Sequence, residues 1–239
     1  MRKILLTITI LTASIASSFA QRTINEPNAE KRDVGSFHGV EVGSGIDLYL
    51  SPGDETVVVT ASEIRFRDRI KTEVRNGILK IWYDYKSNFR IDGGNRKMKA
   101  YVSFKQLDRV EGSGGSDVYV DGVIKSDKLD LEVSGGSDFK GKVSIAELRI
   151  SASGGSDVNI SGDAKNAKID ASGGSDCRAY DLITETCDLQ ASGGSDLYIT
   201  VNKEMVADAS GGSDIYYKGS GVIRDIRSSG SSGVKRVTK

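Results

Sequence analysis

Six aspartates recur at Asp117, Asp138, Asp157, Asp176, Asp196 and Asp214, each closing a Ser-Gly-Gly-Ser-Asp pentapeptide, with steps of 21, 19, 19, 20 and 18 residues. Carboxylates repeated at one interval can do two things. Brought into line, they offer a column of hard oxygen ligands for a cation such as Ca2+. Otherwise each accepts N–H bonds at its own corner in an Asx-type turn. Neighbouring charges about 5 Å apart repel by about 1 kcal/mol even in water, so one of these two arrangements is required. Calcium-binding rolls use shorter repeats with a third glycine that this pentapeptide lacks, so the turn is preferred and a metal column is the alternative.

Three other sets of residues could carry chemistry. Serines precede every aspartate of the repeat, but the only histidine, His38, lies outside it. A nucleophile needs a base within hydrogen-bond reach of one particular serine, so six equivalent copies read as a hydroxyl ladder. No catalytic residue is assigned, and His38 reads as a surface or strand-edge residue. Trp82, Tyr85, Phe89 and Arg90 precede the loop Asp92-Gly93-Gly94 and combine flat rings with hydrogen-bonding groups, which suits a glycan or a protein surface. The competing reading is that Leu79, Ile81 and Tyr83 close the core while their neighbours cover its end. Cys177 and Cys187 fall in one repeat at inward positions, as a disulfide or as two buried thiols.

The elements that must position these residues follow from alternation. After each aspartate, apolar residues stand one and three places on, as in Val158/Ile160 and Leu197/Ile199. Before each Ser-Gly-Gly they stand one, three and five places back, as in Leu129/Leu131/Val133 and Cys187/Leu189/Ala191. Period two means strands with one buried face. Each repeat is thus a rung of two short strands, joined by Ser-Gly-Gly-Ser at one corner and by a variable polar connection at the other. A single rung has too few inward side chains to offset the ordering of its own backbone. Only stacking on its neighbours closes that gap, which predicts an all-β, right-handed parallel β-helix or β-solenoid with rungs about 4.8 Å apart. The paired glycines supply the positive φ of a sharp corner, and substitution of either is expected to strain it.

Residues 113–234 hold the repeats, ending in the degenerate copy Ser229-Gly230-Ser231-Ser232-Gly233-Val234. Residues 37–112 form a less regular part of the same domain, with strands expected at Val40–Val42, Ile46–Leu50, Thr56–Ala61, Ile78–Tyr83, Lys99–Phe104 and Val110–Glu111. Glu63–Lys71 reads as a short helix or irregular link, and Asn76-Gly77 as a hairpin turn. Residues 21–36 read as a mobile leader. Residues 1–20, with Arg2 and Lys3 before an apolar run and Ser18-Phe19-Ala20 before Gln21, read as a signal peptide, too short to span a membrane.

Removing Arg2 and Lys3 leaves 31 basic against 33 acidic residues, a balance that gives no support for nucleic-acid binding. Two prolines and 28 glycines agree with an all-β chain. There is no phosphate loop, zinc spacing or nucleotide fingerprint.

The order Phe37…Val40-Glu41-Val42…Ile46-Asp47-Leu48-Tyr49-Leu50, then Val57-Val58-Val59, Glu73-Val74 and Gly77-Ile78-Leu79-Lys80-Ile81, followed by serial Ser-Gly-Gly-Ser-Asp turns, resembles the DUF2807 family of auto-transporter adhesin head GIN domains. The resemblance spans roughly residues 37–238. It implies an exported β-helix-like domain with an adhesive role at the periplasm or cell surface, and brings no catalytic residues with it. An auto-transporter needs a membrane barrel, and this sequence supplies none. The expectation is a non-enzymatic, adhesin-like module that binds a glycan or an envelope protein. The alternatives are a polysaccharide-active β-helix enzyme, with Asp84 or Asp92 as candidate acids, and a structural or signalling accessory of the envelope.

Overall fold

The computed structural model describes residues 26–85 and 95–238. Its first half contains β1 (Glu30–Arg32), β2 (Gly39–Val42), β3 (Asp47–Pro52), β4 (Thr56–Thr60), a single helical turn α1 (Ile64–Arg67), β5 (Ile70–Arg75), β6 (Ile78–Tyr83), β7 (Lys99–Phe104), β8 (Arg109–Gly112) and β9 (Val118–Val120). The repeats form β10 (Ile124–Ser134), β11 (Phe139–Ser153), β12 (Asp157–Ala171), β13 (Asp176–Ala191), β14 (Asp196–Gly211), β15 (Asp214–Lys218), β16 (Val222–Gly230) and β17 (Gly233–Arg236).

Parallel pairing runs through the repeats in register, motif on motif: Asp157 faces Asp176, Asp176 faces Asp196, and Asp196 faces Asp214. The array is a β-solenoid with two strand columns. One column stacks β5, β6, β2, β8, β10 and then β11 to β14 and β16. The other stacks β1, β4, β7, β3, β9 and then β11 to β15 and β17. The inward residues read from the alternation are buried, and they form one continuous core from Phe37 to Tyr217.

Three features differ from the sequence reading. The far corner of the regular rungs is not a loop. β11 to β14 each run 15 or 16 residues without a break, and bend at bulges such as Asn159/Gly162 and Ala179/Ile183. A parallel ladder can carry its hydrogen bonds through such a bend by leaving one residue unpaired.

Next, the rungs do not stack in chain order. β2 and β3 lie between the β6–β7 rung and the β8–β9 rung, pairing in parallel with both. After β1 the chain therefore enters inside the array at β2 and β3, runs out to its end through β4, α1 and β5, and returns.

Finally, the segment expected to be mobile contributes to that end. Glu30–Arg32 pairs antiparallel with Val57–Val59, and the Asn28 side chain donates to the Ala61 and Ser62 carbonyls. The backbone of Val57–Val59 presents an open edge there, which these residues satisfy. The hairpin turn at Asn76-Gly77 is present, with φ of 53° and 76° joining β5 to β6.

Candidate functional site

The pentapeptide serves the corner first. The fourth-position serines Ser116, Ser137, Ser156, Ser175, Ser195 and Ser213 are fully buried. Ser195 Oγ donates to the Ala171 carbonyl of the rung below at 3.1 Å and to its own corner at Ser192 O, and accepts from Ser192 N–H. Ser156, Ser175 and Ser213 repeat this pattern. Ser116 and Ser137 instead accept backbone N–H groups, from Ile46 and Ser116 respectively, both at 2.9 Å. These hydroxyls bond the backbone of adjacent rungs. His38 Nδ1 meets Asp108 Oδ1 at 2.8 Å, which raises the imidazole pKa, and its side chain is half exposed.

The aspartates form one outward column with Asp47 at its base. The Asx-type turn expected for them is not what relieves their charge. Asp117 Oδ1 accepts the N–H of Asp138, Asp138 Oδ1 that of Asp157, and Asp196 Oδ1 that of Asp214, at 3.1 to 3.3 Å. The bond is to the next rung, because parallel stacking brings that N–H closer than any in the same corner. The second oxygens meet side chains. Tyr119 donates to Asp117, Tyr198 to Asp196 and Tyr216 to Asp214, while Arg178 bridges Asp157 and Asp176 at 2.8 and 2.7 Å. Among the described residues, no group of three His, Cys, Asp or Glu side chains is placed to hold a metal ion. Two ends of the column are tuned oppositely. Burial, then the Asp117 charge, raises the Asp47 pKa. Hydrogen bonds from Lys235 and Tyr216 lower that of Asp214.

Two residues beyond each aspartate runs a second outward column: Tyr101, Tyr49, Tyr119, Lys140, Asn159, Arg178, Tyr198, Tyr216 and Lys235. Tyr49 stacks on Tyr101 and Tyr119 with centroids 4.9 and 5.2 Å away, and Tyr198 on Tyr216 at 5.1 Å. Partial burial, then the neighbouring carboxylate, pushes Tyr119 and Tyr198 up to about 12. Those phenols therefore remain hydrogen-bond donors at neutral pH.

Just beyond this column the ladder around β13 leaves register. The step from Asp176 to Asp196 is one residue longer than the step before it. The register shifts between Ala179 and Ile183, and Tyr180 and Asp181 stand out there. A cleft of about 310 Å3 opens among Asn159, Arg178, Tyr180, Asp181 and Tyr198. The Tyr180 ring meets Tyr198 edge-on at 71°, and Lys218 Nζ lies 4.0 Å from its centroid. A second groove, about 440 Å3, runs over the far bend on the other strand column. Its floor includes Leu148, Ala167 and Met205, and its rim carries both signs of charge, with Lys168 paired to Asp188 and Arg224 to Glu204.

Two of the aromatic candidates, Trp82 and Tyr85, fall among the described residues. Trp82 is exposed beside a shallow groove with Glu41, Lys80 and Glu111. Tyr85 packs edge-on against buried Tyr83, lies under Arg96, and reaches the Ser44 carbonyl with its hydroxyl. Its ring nonetheless stays exposed, whereas Leu79, Ile81 and Tyr83 are buried in the core. Phe89, Arg90 and Asp92 lie outside the described residues. Cys177 and Cys187 are buried, unbridged thiols, both pushed up to about 12 by burial. Sequence reasoning missed the Tyr180 cleft. Its signal was the 20-residue step, which places one extra residue in that rung.

Residues 36–221 match the DUF2807 family, described as "Putative auto-transporter adhesin, head GIN domain". The chain belongs to this family. Among solved structures, a DUF2807-like fold recurs in a "putative adhesin" from Bacteroides fragilis, at 18% identity and a TM-score of 0.79, covering 87% of this chain and 96% of that one. A "putative adhesin" from Parabacteroides merdae matches at 16% identity and a TM-score of 0.63, covering 88% and 95%. A "putative lipid binding protein" from Parabacteroides distasonis matches at 17% identity and a TM-score of 0.65, covering 88% and 96%. At these identities the likeness shows the fold alone. Among curated proteins none matches. No helix among the described residues of this DUF2807 chain is long and apolar enough to cross a membrane.

Proposed function

We propose that this DUF2807 protein is an exported, non-enzymatic, adhesin-like module that binds a glycan on its tyrosine–aspartate face, with the Tyr180 cleft as the principal subsite. The observation that carries the reading is the cleft itself. It sets the Tyr180 and Tyr198 rings beside the hydrogen-bonding groups of Arg178, Asp181 and Asn159. An aromatic ring covers the C–H face of a sugar, and a few convergent polar groups satisfy its hydroxyls. Parallel pairing holds Asn159, Arg178 and Tyr198 in register, and Tyr180 and Asp181 stand out from the unpaired bulge beside them. The tyrosine columns on either side extend the same chemistry along the axis, which suits a polymer. The family description and the export signal read in residues 1–20 agree with a role at the envelope.

The test is titration of the purified chain against a panel of polysaccharides, with product analysis in parallel. Saturable binding without turnover is expected. Tyr180→Ala should weaken it about tenfold or more, with the circular dichroism unchanged. Turnover would favour the polysaccharide-active enzyme. Undiminished binding by Tyr180→Ala would remove the cleft from the site.

A further inference from the structure

The two ends of the solenoid are finished differently. At the first end, the outermost strand of one column is β1, three residues long and wholly charged, Glu30-Lys31-Arg32. The outermost strand of the other is β5, which presents Lys71, Glu73 and Arg75. Phe66 of α1 is buried there. Short strands and rows of charge are how sheet edges are kept from pairing with other chains.

At the other end one strand, β17, is short and basic, but β16 is long, and its charges leave an apolar stretch open. β16 is nine residues long, every residue of it is exposed, and it pairs only with β14. Val222, Ile223 and Ile226 are 59, 37 and 41% exposed. No described residue pairs with its outer edge. Its neighbour β17 pairs only with β15. The cations of this last rung are largely tied to the array beneath them: Arg224 to Glu204, Lys235 to Asp214, and Arg236 to the Gly219 carbonyl.

We infer that β16 is a dimerisation edge, at which a second copy of this chain adds its own β16 antiparallel about a two-fold axis through Ile226. Charge chooses the occupant. Asp225 and Arg227 flank Ile226 on the outward face, paired within one chain at 3.2 Å. In an antiparallel self-pairing centred on Ile226, Asp225 of each copy stands opposite Arg227 of the other, and the two Ile226 side chains meet. Directly opposed unlike charges favour a strand pair, and like charges disfavour it. Antiparallel pairing also supplies partners for the outer N–H and C=O groups. The asymmetry of the ends decides the symmetry. A head-to-tail contact would need the charged first end as its complement and would grow into a filament, whereas end-on-end pairing closes at two copies.

Light scattering and sedimentation of the purified chain test the inference. A dimer is expected, dissociating at low concentration. Asp225→Arg and Arg227→Asp, each alone, should weaken it about tenfold or more by opposing like charges twice across the axis. The double variant Asp225→Arg/Arg227→Asp should restore it. Ile226→Cys should give a reducible cross-linked dimer, since Cys177 and Cys187 are buried. A wild-type chain that stays monomeric at the highest soluble concentration overturns the inference, as do species growing beyond two copies. A dimer indifferent to both single reversals, or one not restored by the double variant, overturns the assignment to this edge and axis.

Discussion

The corners of the array fall into two classes that share one spelling. At Gly114-Gly115 and Gly135-Gly136 both glycines have positive φ, between 62° and 78°, and the preceding corner uses Ser44 and Gly45 in the same way, at 69° and 71°. From Gly154 onward only the first glycine of each pair does, as at Gly173 and Gly193 with φ of 76° and 77°. The buried serine changes partner at the same point, from accepting an N–H to donating to a carbonyl. Identical letters therefore encode two backbone paths, chosen by the rung already in place beneath. The early corners lie next to the irregular half, whose longer excursions set a different approach. The later corners stack only on copies of themselves.

The largest expected effect tests the later class. A Cβ on Gly193 would lie 2.7 Å from the Gly173 carbonyl oxygen at a left-handed φ, whereas one on Gly194 meets nothing closer than 3.7 Å. Gly193→Ala should cost about 3 kcal/mol in denaturant unfolding, and Gly194→Ala close to nothing. Equal losses would erase the distinction, and would restore the reading in which either glycine is indispensable.

Next comes the serine. Ser137→Ala takes from the buried Ser116 N–H its hydroxyl acceptor and should cost about 1–3 kcal/mol. Ser195→Ala removes the hydroxyl's bonds to the Ala171 carbonyl and the Ser192 backbone, but the Ser192 N–H still donates to that carbonyl at 3.0 Å, so a smaller loss of about 1 kcal/mol is expected. In the early class, Gly136→Ala has open space around its Cβ but a φ of 78°, so a loss of about 1 kcal/mol is expected from backbone strain alone.

The aspartate column sharpens the contrast between regions through pH. Asp47 has a raised folded-state pKa. Its contribution to stability is full below the ordinary aspartate value of 3.8 and is lost as pH rises through the folded value. Asp214 is lowered, so its contribution is present above 3.8 and is lost as pH falls through the folded value. Asp47→Asn should accordingly raise Tm at neutral pH relative to the parent chain. Asp214→Asn should lower it slightly, less so in high salt. The same sign for both would break the comparison. The smallest expected effect is that of calcium. Donors from the next rung already occupy the carboxylates, so Tm should be unmoved by Ca2+ or chelator.

How much of this was legible in the sequence depends on what alternation can encode. Period two and a near-constant step fixed the parallel stacking, the inward residues, and strands such as Ile78–Tyr83 and Lys99–Phe104. Stacking order was not legible, because the insertion of β2 and β3 between later strands is decided by long-range pairing with no local residue signature. The carboxylate partners were misplaced for the same reason. An N–H that is distant in sequence lies directly above, and local turn chemistry could not reveal it. Trp82 and Tyr85 drew attention by composition, and both stand exposed beside the buried Tyr83. The Tyr180 cleft depends on one extra residue whose side-chain direction only the bend determines.

All the departures from a constant rung length in β12 to β14 and β16 fall on one side of the molecule. The register slips at Asn159/Gly162, Ala179/Ile183, Thr184/Thr186 and Met205/Val206, while the glycine corners stay aligned. One margin acts as a spine of fixed pitch and the other as a hem that can be let out. Inserted residues at the hem would be carried without disturbing the spine, so new surface loops, whether selected or engineered, have a single tolerant border along which to appear.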